Sequence, residues 1–322
     1  MKRRLWAGGL AVLAAGVIAG AAGGALLEPW EDDPDAAAPR AAGASPPAAE
    51  VIPPAAEPAR TSRFALRTPT EPPPVEVEFR DPPRAGVLFD VRTGEVLWER
   101  HPDRRLPIAS LTKMMTALLI AERHRPGEGV AITPEALAYE GSGVGVLPKG
   151  REVKLESMLN GLLLVSGNDA AIALAQHDAG SVPRFVRRMN RRARRLGLEC
   201  TRFSSPHGLE DRGNHSCPRD LAELARADLA NRRIREIAAT NQARFPFPVR
   251  GGYLDLYNNN PFIRAGAEGI TGLKTGYTDA AGRCYVITAR RGGRHLGVVL
   301  LHTPRPLDQV PALLRAGARR GG

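Results

Sequence analysis

Three regimes of apolar patterning follow one another along the chain. Leu5 to Leu27 runs without a charged residue behind the basic start Met1-Lys2-Arg3-Arg4. That is the pattern of an export segment, and residues 1–30 fit a cleaved signal peptide and an N-terminal membrane anchor alike. From Glu31 to about Pro83 large apolar residues are sparse and Pro, Ala and Glu dominate, with Pro46-Pro47, Pro53-Pro54 and Pro72-Pro73-Pro74. Such a stretch buries too little to offset chain entropy, which predicts a disordered, extended linker over 31–83. Periodic patterning begins at Ala85 and marks out a domain over 84–322.

Within that domain, Gly86–Val91 and Glu95–Trp98 predict two strands around the turn Arg92-Thr93-Gly94. After Pro107, the spacing of Met114, Met115, Leu118 and Leu119 predicts a helix that starts near Ser110 and runs to about His124. Pro134–Tyr139 reads as a short helical turn, and Gly141-Ser142-Gly143-Val144-Gly145 as a glycine loop without phosphate-loop spacing. Further helices are expected over Leu155–Leu164, Ala170–Asp178, Val182–Leu196, Arg219–Ala230 and Leu307–Arg319. Strands are expected over Phe245–Val249, Tyr253–Leu256, Gly269–Tyr277, Cys284–Ala289 and Leu296–Leu301, the last two joined by a hairpin through Arg291-Gly292-Gly293-Arg294. Strands near both ends with helices between them predict an α+β fold. Its antiparallel β-sheet comes from the two ends of the domain, flanked by helices and interrupted by a helical insert.

Of the 322 residues, 43% are hydrophobic and 25% charged, an ordinary globular balance. The net charge of +11 comes mainly from arginine. Arg184, Arg187, Arg188, Arg191, Arg192, Arg194 and Arg195 line one side of a single helix without interleaved aromatics. On an exported chain this reads as a solvated face or a contact with anionic wall polymer or lipid head groups, and no nucleic-acid partner is expected. Three cysteines in an exported chain predict one disulfide, Cys200 with Cys217, and leave Cys284 over. Three reduced, buried thiols are the alternative. His, Cys and Asp show no metal-ligand spacing, so neither metal nor cofactor is expected.

The candidate chemistry starts at Ser110-Leu111-Thr112-Lys113. Three residues apart at a helix start, a hydroxyl and an amine have Cβ atoms roughly 5–6 Å apart. An unprotonated amine there takes the serine proton and activates the oxygen, provided burial or nearby positive charge lowers it from ~10.4. Ser166-Gly167-Asn168 sits at a junction between predicted helices. Lys274-Thr275-Gly276 sits on a predicted strand, where Lys supplies a cation, Thr a hydroxyl and Gly a close backbone approach. No G-x-S-x-G surrounds a serine, so His207 reads as a loop histidine rather than a triad member.

Each pattern is short, but the three in this order form the set found in penicillin-binding proteins and class A β-lactamases. From about Ala85 to Ala318 the chain resembles the D-alanyl-D-alanine carboxypeptidase family, the low-molecular-mass penicillin-binding proteins. The likeness extends to Ala109-Ser110-Leu111-Thr112-Lys113-Met114, Ser166-Gly167-Asn168-Asp169-Ala170-Ala171 and Gly272-Leu273-Lys274-Thr275-Gly276-Tyr277-Thr278. The resemblance implies that Ser110 is the acyl-ester nucleophile and Lys113 its general base. It implies further that Ser166 relays protons to the leaving amine, and that Asn168 holds Lys113 and the substrate amide. Lys274 and Thr275 would receive a terminal carboxylate beside Gly276 and Tyr277, with the N–H groups of Ser110 and Tyr277 as oxyanion hole. The implied substrate is the peptidoglycan stem peptide, with β-lactams as covalent inhibitors, in a catalytic domain over 84–322 acting outside the cytoplasm. Members often carry a further β-rich domain and an amphipathic anchor, so attachment to the cytoplasmic membrane is expected only through an uncleaved N-terminal segment. The competing activities are endopeptidase cleavage of crosslinks, β-lactam hydrolysis, and a non-catalytic wall-binding scaffold. Glu156-Ser157-Met158-Leu159-Asn160 matches the class A deacylation string but precedes Ser166, inside an apolar helix.

Overall fold

The computed structural model describes residues 62–67, 74–209 and 212–319; the expected export segment and most of the expected linker lie outside these. Chain entry is through the hairpin β1 (Ala85–Asp90) and β2 (Val96–Arg100), and a 3₁₀ turn at Ala109–Thr112 leads into α1 (Lys113–Arg123). There follow β3 (Gly129–Ala131), α2 (Pro134–Leu137), β4 (Glu152–Lys154), α3 (Leu155–Leu163), α4 (Asn168–Ala179), α5 (Val182–Leu196), α6 (Pro218–Ala230) and α7 (Arg232–Ala239). The ribbon β5 (Gln242–Pro246) and β6 (Tyr253–Tyr257) and the short α8 (Pro261–Arg264) precede β7 (Ile270–Thr278), β8 (Gly282–Arg291), β9 (Arg294–Leu301) and α9 (Pro306–Ala318).

The expected α+β architecture is present. Five antiparallel strands run in the order β2-β1-β9-β8-β7, and the β1–β9 pairing, from Ala85 with Leu301 to Asp90 with Leu296, joins the two ends of the domain. Side chains alternate across this sheet. Val87, Phe89, Val286 and Val299 face the helical layer with Met114, Leu118, Leu221 and Leu224. Leu88, Leu97, Val298 and Leu300 face α9 with Val310, Leu313 and Leu314. Both faces are covered, which is why β1 reads as a continuous apolar run. Gly297 makes room for Phe89, since a Cβ there would stand 2.3 Å from the ring.

Four features differ from the expectations. Ser110 lies in the 3₁₀ turn and Lys113 opens α1, so the nucleophile candidate precedes the α-helix. The three-residue strands β3 and β4 are too short to show a period. α7 begins two residues after α6 ends, with Asn231 accepting from the backbone N–H of Arg233 and Ile234, so two helices share one run of sequence. Finally, residues 62–67 and 74–83 pack on the domain instead of trailing from it. Val75 is 6% exposed and donates its N–H to Leu97 O at 3.0 Å, and Phe79 meets Trp98 edge-on. Leu66 N–H donates to Glu223 Oε1, and Arg226 donates to the carbonyls of Phe64 and Ala65. A few apolar residues among many prolines suffice to dock the segment, which an averaged composition conceals.

Cys200 and Cys217 form a disulfide with Cα atoms 5.6 Å apart, and Cys284 lies buried outside it. Among the described residues, two of the seven arginines of α5 are ion-paired, Arg188 with Asp178 and Arg192 with Glu122. Among the described residues no helix is long and apolar enough to cross a membrane.

Candidate active site

The turn at Ala109–Thr112 places the Ser110 hydroxyl over the first residue of α1. Ala109 adopts φ +48° just before it. α1 is buried over most of its length, so Lys113, at 0% exposure, has its amine sealed inside the protein. Lys113 Nζ lies 2.9 Å from Ser110 Oγ, 2.7 Å from Asn168 Oδ1 and 2.8 Å from His207 O. Burial, then the charge of Lys274, holds the Lys113 amine well below the usual lysine range, against an opposing pull from Asp169. A neutral amine has two N–H donors and one lone pair. The two carbonyl oxygens take the donors, which leaves the lone pair for the one partner able to give a proton, the Ser110 hydroxyl. Burial, followed by the charge of Lys113, lowers the His207 ring to about 4, so it adds no second cation at neutral pH.

Ser166 closes the cleft from the junction of α3 and α4. Its φ of +62° lies in the left-handed region, which costs an L-residue about 1–2 kcal/mol. Lys274 Nζ lies 3.0 Å from Ser166 Oγ and donates to Thr275 O at 2.7 Å. Desolvation lowers the Lys274 amine to about 7. Asn168 is clamped by the glycine loop: its Nδ2 donates to Glu140 O at 2.6 Å and its backbone N–H to Ser142 O at 2.7 Å. Asp169 completes the clamp, its carboxylate accepting from the N–H groups of Val144 and Gly145.

Gly276 is where β7 touches the turn that carries Ser110. A Cβ at that position would stand 2.9 Å from the Ser110 backbone nitrogen and 3.2 Å from Ile108 O. The cleft between them has a volume of about 370 Å³, with Ser110, Ser166, Thr275, Gly276 and Tyr277 on its wall. Ser142, Asn259, Arg283 and Tyr285 complete it. A larger cavity of about 470 Å³ beside the disulfide holds acidic side chains but no serine–lysine pair, which makes the smaller one the candidate site.

The structure thus gathers Ser110, Lys113, Ser166, Asn168, Lys274, Thr275, Gly276 and Tyr277 around one cleft. Lys274 differs from its expected placement. At 1% exposure it is absent from the wall and aims at Ser166, because its side chain alternates with that of Thr275 along β7. The exposed cation on the wall is Arg283, in register with Tyr277 across β7 and β8 and without an ion pair among the described residues. The hairpin register carried a signal for it, whereas the carbonyls of His207 and Glu140 leave no trace in residue type. Glu156 pairs with Arg233 at the start of α3, so its match to the deacylation string has no counterpart beside Ser110.

A sequence model of the family described as D-alanyl-D-alanine carboxypeptidase matches residues 80–304. Among curated relatives, D-alanyl-D-alanine carboxypeptidase DacF of Bacillus subtilis is 33% identical over 70% of this chain and 59% of its own length. DacB2 of Mycobacterium tuberculosis is 34% identical over 69% of this chain and 75% of its own. The chain spans about 59% of the length of the first curated relatives it matches. Among solved structures, a Mycobacterium tuberculosis D-alanyl-D-alanine carboxypeptidase superposes with a TM-score of 0.70 at 31% identity, over 78% of this chain and 95% of that one. A Streptomyces DD-transpeptidase variant gives 0.68 at 28% identity, over 74% of this chain and 99% of that one.

Proposed function

Given that the chain belongs to the D-alanyl-D-alanine carboxypeptidase family, we propose that it removes the terminal D-alanine from peptidoglycan stem peptides through an acyl-enzyme on Ser110. The observation that carries this reading is the Lys113 network. Its amine is desolvated, donates to two carbonyl oxygens and has its lone pair free for Ser110 Oγ.

In this mechanism Lys113 takes the Ser110 proton as Oγ attacks the carbonyl of the penultimate D-alanine. The N–H groups of Ser110 and Tyr277 stabilise the resulting oxyanion, an arrangement in which one donor is worth ~10²–10³ in rate. The C–N bond breaks as the proton taken by Lys113 passes on through Ser166 to the departing D-alanine amine, which leaves Lys113 neutral again while Lys274 holds the Ser166 hydroxyl. Water then hydrolyses the ester, giving its proton to Lys113 and restoring the Ser110 hydroxyl. Asn168 keeps Lys113 oriented through Oδ1, and Thr275 receives the substrate's free carboxylate. The domain acts outside the cytoplasm, delivered by the N-terminal segment as signal or anchor, and β-lactams acylate Ser110 as substrate mimics.

Penicillin labelling followed by peptide mapping tests the assignment. One stable adduct on Ser110, absent from Ser110→Ala, is the expected result. An adduct on another residue, or none on folded protein, contradicts it, and fast turnover of the drug transfers the reading to β-lactam hydrolysis.

A further inference from the structure

At the opposite end of α1 from Ser110, three side chains converge that acyl transfer does not use. His124 ends α1, Glu128 lies in the turn before β3, and His177 comes from the last turn of α4. Each offers one ligand atom, and the three lie within 4.8 Å of one another. Oε2 stands 2.8 Å from His124 Nδ1 and 2.9 Å from His177 Nε2. The two rings are tilted by 52° rather than stacked, so both nitrogens address the same carboxylate oxygen.

The surroundings orient each donor. Glu128 Oε1 accepts the backbone N–H of Arg125 at 2.6 Å, which fixes the carboxylate and turns Oε2 toward the rings. Behind His124, Nε2 lies 3.0 Å from Oδ1 of Asp178, a buried carboxylate held by Arg123 and Arg188. A carboxylate behind a histidine fixes the tautomer with its proton on the rear nitrogen and presents the front nitrogen as a ligand. In that tautomer His124 Nδ1 would face Glu128 Oε2 with a lone pair, so the two atoms can share a cation. Three nearby arginines are already engaged: Arg123 and Arg188 with Asp178, and Arg233 with Glu156 while it donates to His124 O.

We propose that His124, Glu128 and His177 form a binding site for a divalent transition-metal ion of the zinc type. Two imidazoles and a carboxylate are a donor set zinc uses, with bonds of about 2.0–2.2 Å and a remaining position for water. Bonds of that length place donors ~3.4 Å apart, between the 2.8–2.9 Å contacts and the 4.8 Å limit seen here. The ion ties the end of α1 to α4 and to the turn entering β3. At ~1.5 Å per residue the helix keeps it ~16 Å from Lys113, so its effect is on stability.

The test uses the full chain, stripped with a chelator and dialysed, then titrated calorimetrically with Zn²⁺ and spectroscopically with Co²⁺. Expected are one Zn²⁺ per chain, a raised thermal midpoint, and visible Co²⁺ bands of a four- or five-coordinate site. His177→Ala and Glu128→Gln, at half-exposed positions, are each expected to weaken binding at least ~10-fold while leaving penicillin labelling of Ser110 unchanged. Absence of stoichiometric binding by the wild-type chain at micromolar Zn²⁺ would overturn the proposal. So would variants that bind as tightly as the wild type.

Discussion

Lys113 and Gly276 carry the sharpest residue-scale consequences. Because burial lowers the Lys113 amine and the proposed base acts only when neutral, acylation should speed up as pH rises through its lowered pKa and fade below it. A stopped-flow penicillin pH profile checks the direction, and a rate independent of pH would remove Lys113 as the base. Lys113→Ala should slow acylation by ~10²–10⁴. Gly276→Ala sets a Cβ 2.9 Å from the Ser110 nitrogen. Forcing the strand away from the oxyanion donors should cost ~10²–10³ in acylation rate with the circular-dichroism spectrum unchanged. At this scale the sequence exposed what residue type and spacing encode: Ser110 with Lys113, Ser166 with Asn168, and the Lys274 strand. It concealed what backbone atoms or distant partners supply, such as His207 O on Lys113, and His177, which meets Glu128 from 49 positions away.

Elements divide according to how strongly a period marks them. α5 was legible to the residue because its apolar positions recur at helical spacing between Ser181 and Gly197. β3, β4 and α8 span three or four residues and offer no period to read. Glu223 on α6 has a measurable role, since it accepts Leu66 N–H and so fastens the segment that precedes the sheet. Burial raises its carboxyl to about 7 from 4.5, partly opposed by that N–H. The folded state therefore holds this proton more tightly than the unfolded chain. The resulting stability is fully present below 4.5 and is lost as pH rises through 7. Relative to Glu223→Gln, which still accepts from Leu66, the wild-type thermal midpoint should fall between those two pH values. Parallel midpoints across that range would refute the assignment. The loop between Cys200 and Cys217 spans 17 positions, so Cys217→Ala should cost about 3 kcal/mol in denaturant unfolding.

For the molecule as a whole, the α+β architecture was readable because strands gathered at the two ends of the domain, and the β1–β9 pairing realises that arrangement. The docking of residues 62–67 and 74–83 on the domain was not, because Phe64, Leu66, Val75 and Phe79 are diluted among prolines and charges. A chain beginning at residue 84 loses the burial of Val75 and leaves Arg226 without its acceptors at Phe64 and Ala65. It should unfold at lower denaturant than the full chain, by on the order of 3 kcal/mol. The central claim, hydrolysis through Ser110, is tested most directly by supplying the full chain with a stem pentapeptide ending in D-Ala-D-Ala and measuring released D-alanine. The account predicts steady release by the wild type, none above background by Ser110→Ala, and suppression by prior penicillin labelling. Release that survives in Ser110→Ala, or a folded wild-type protein that frees no D-alanine, would contradict it.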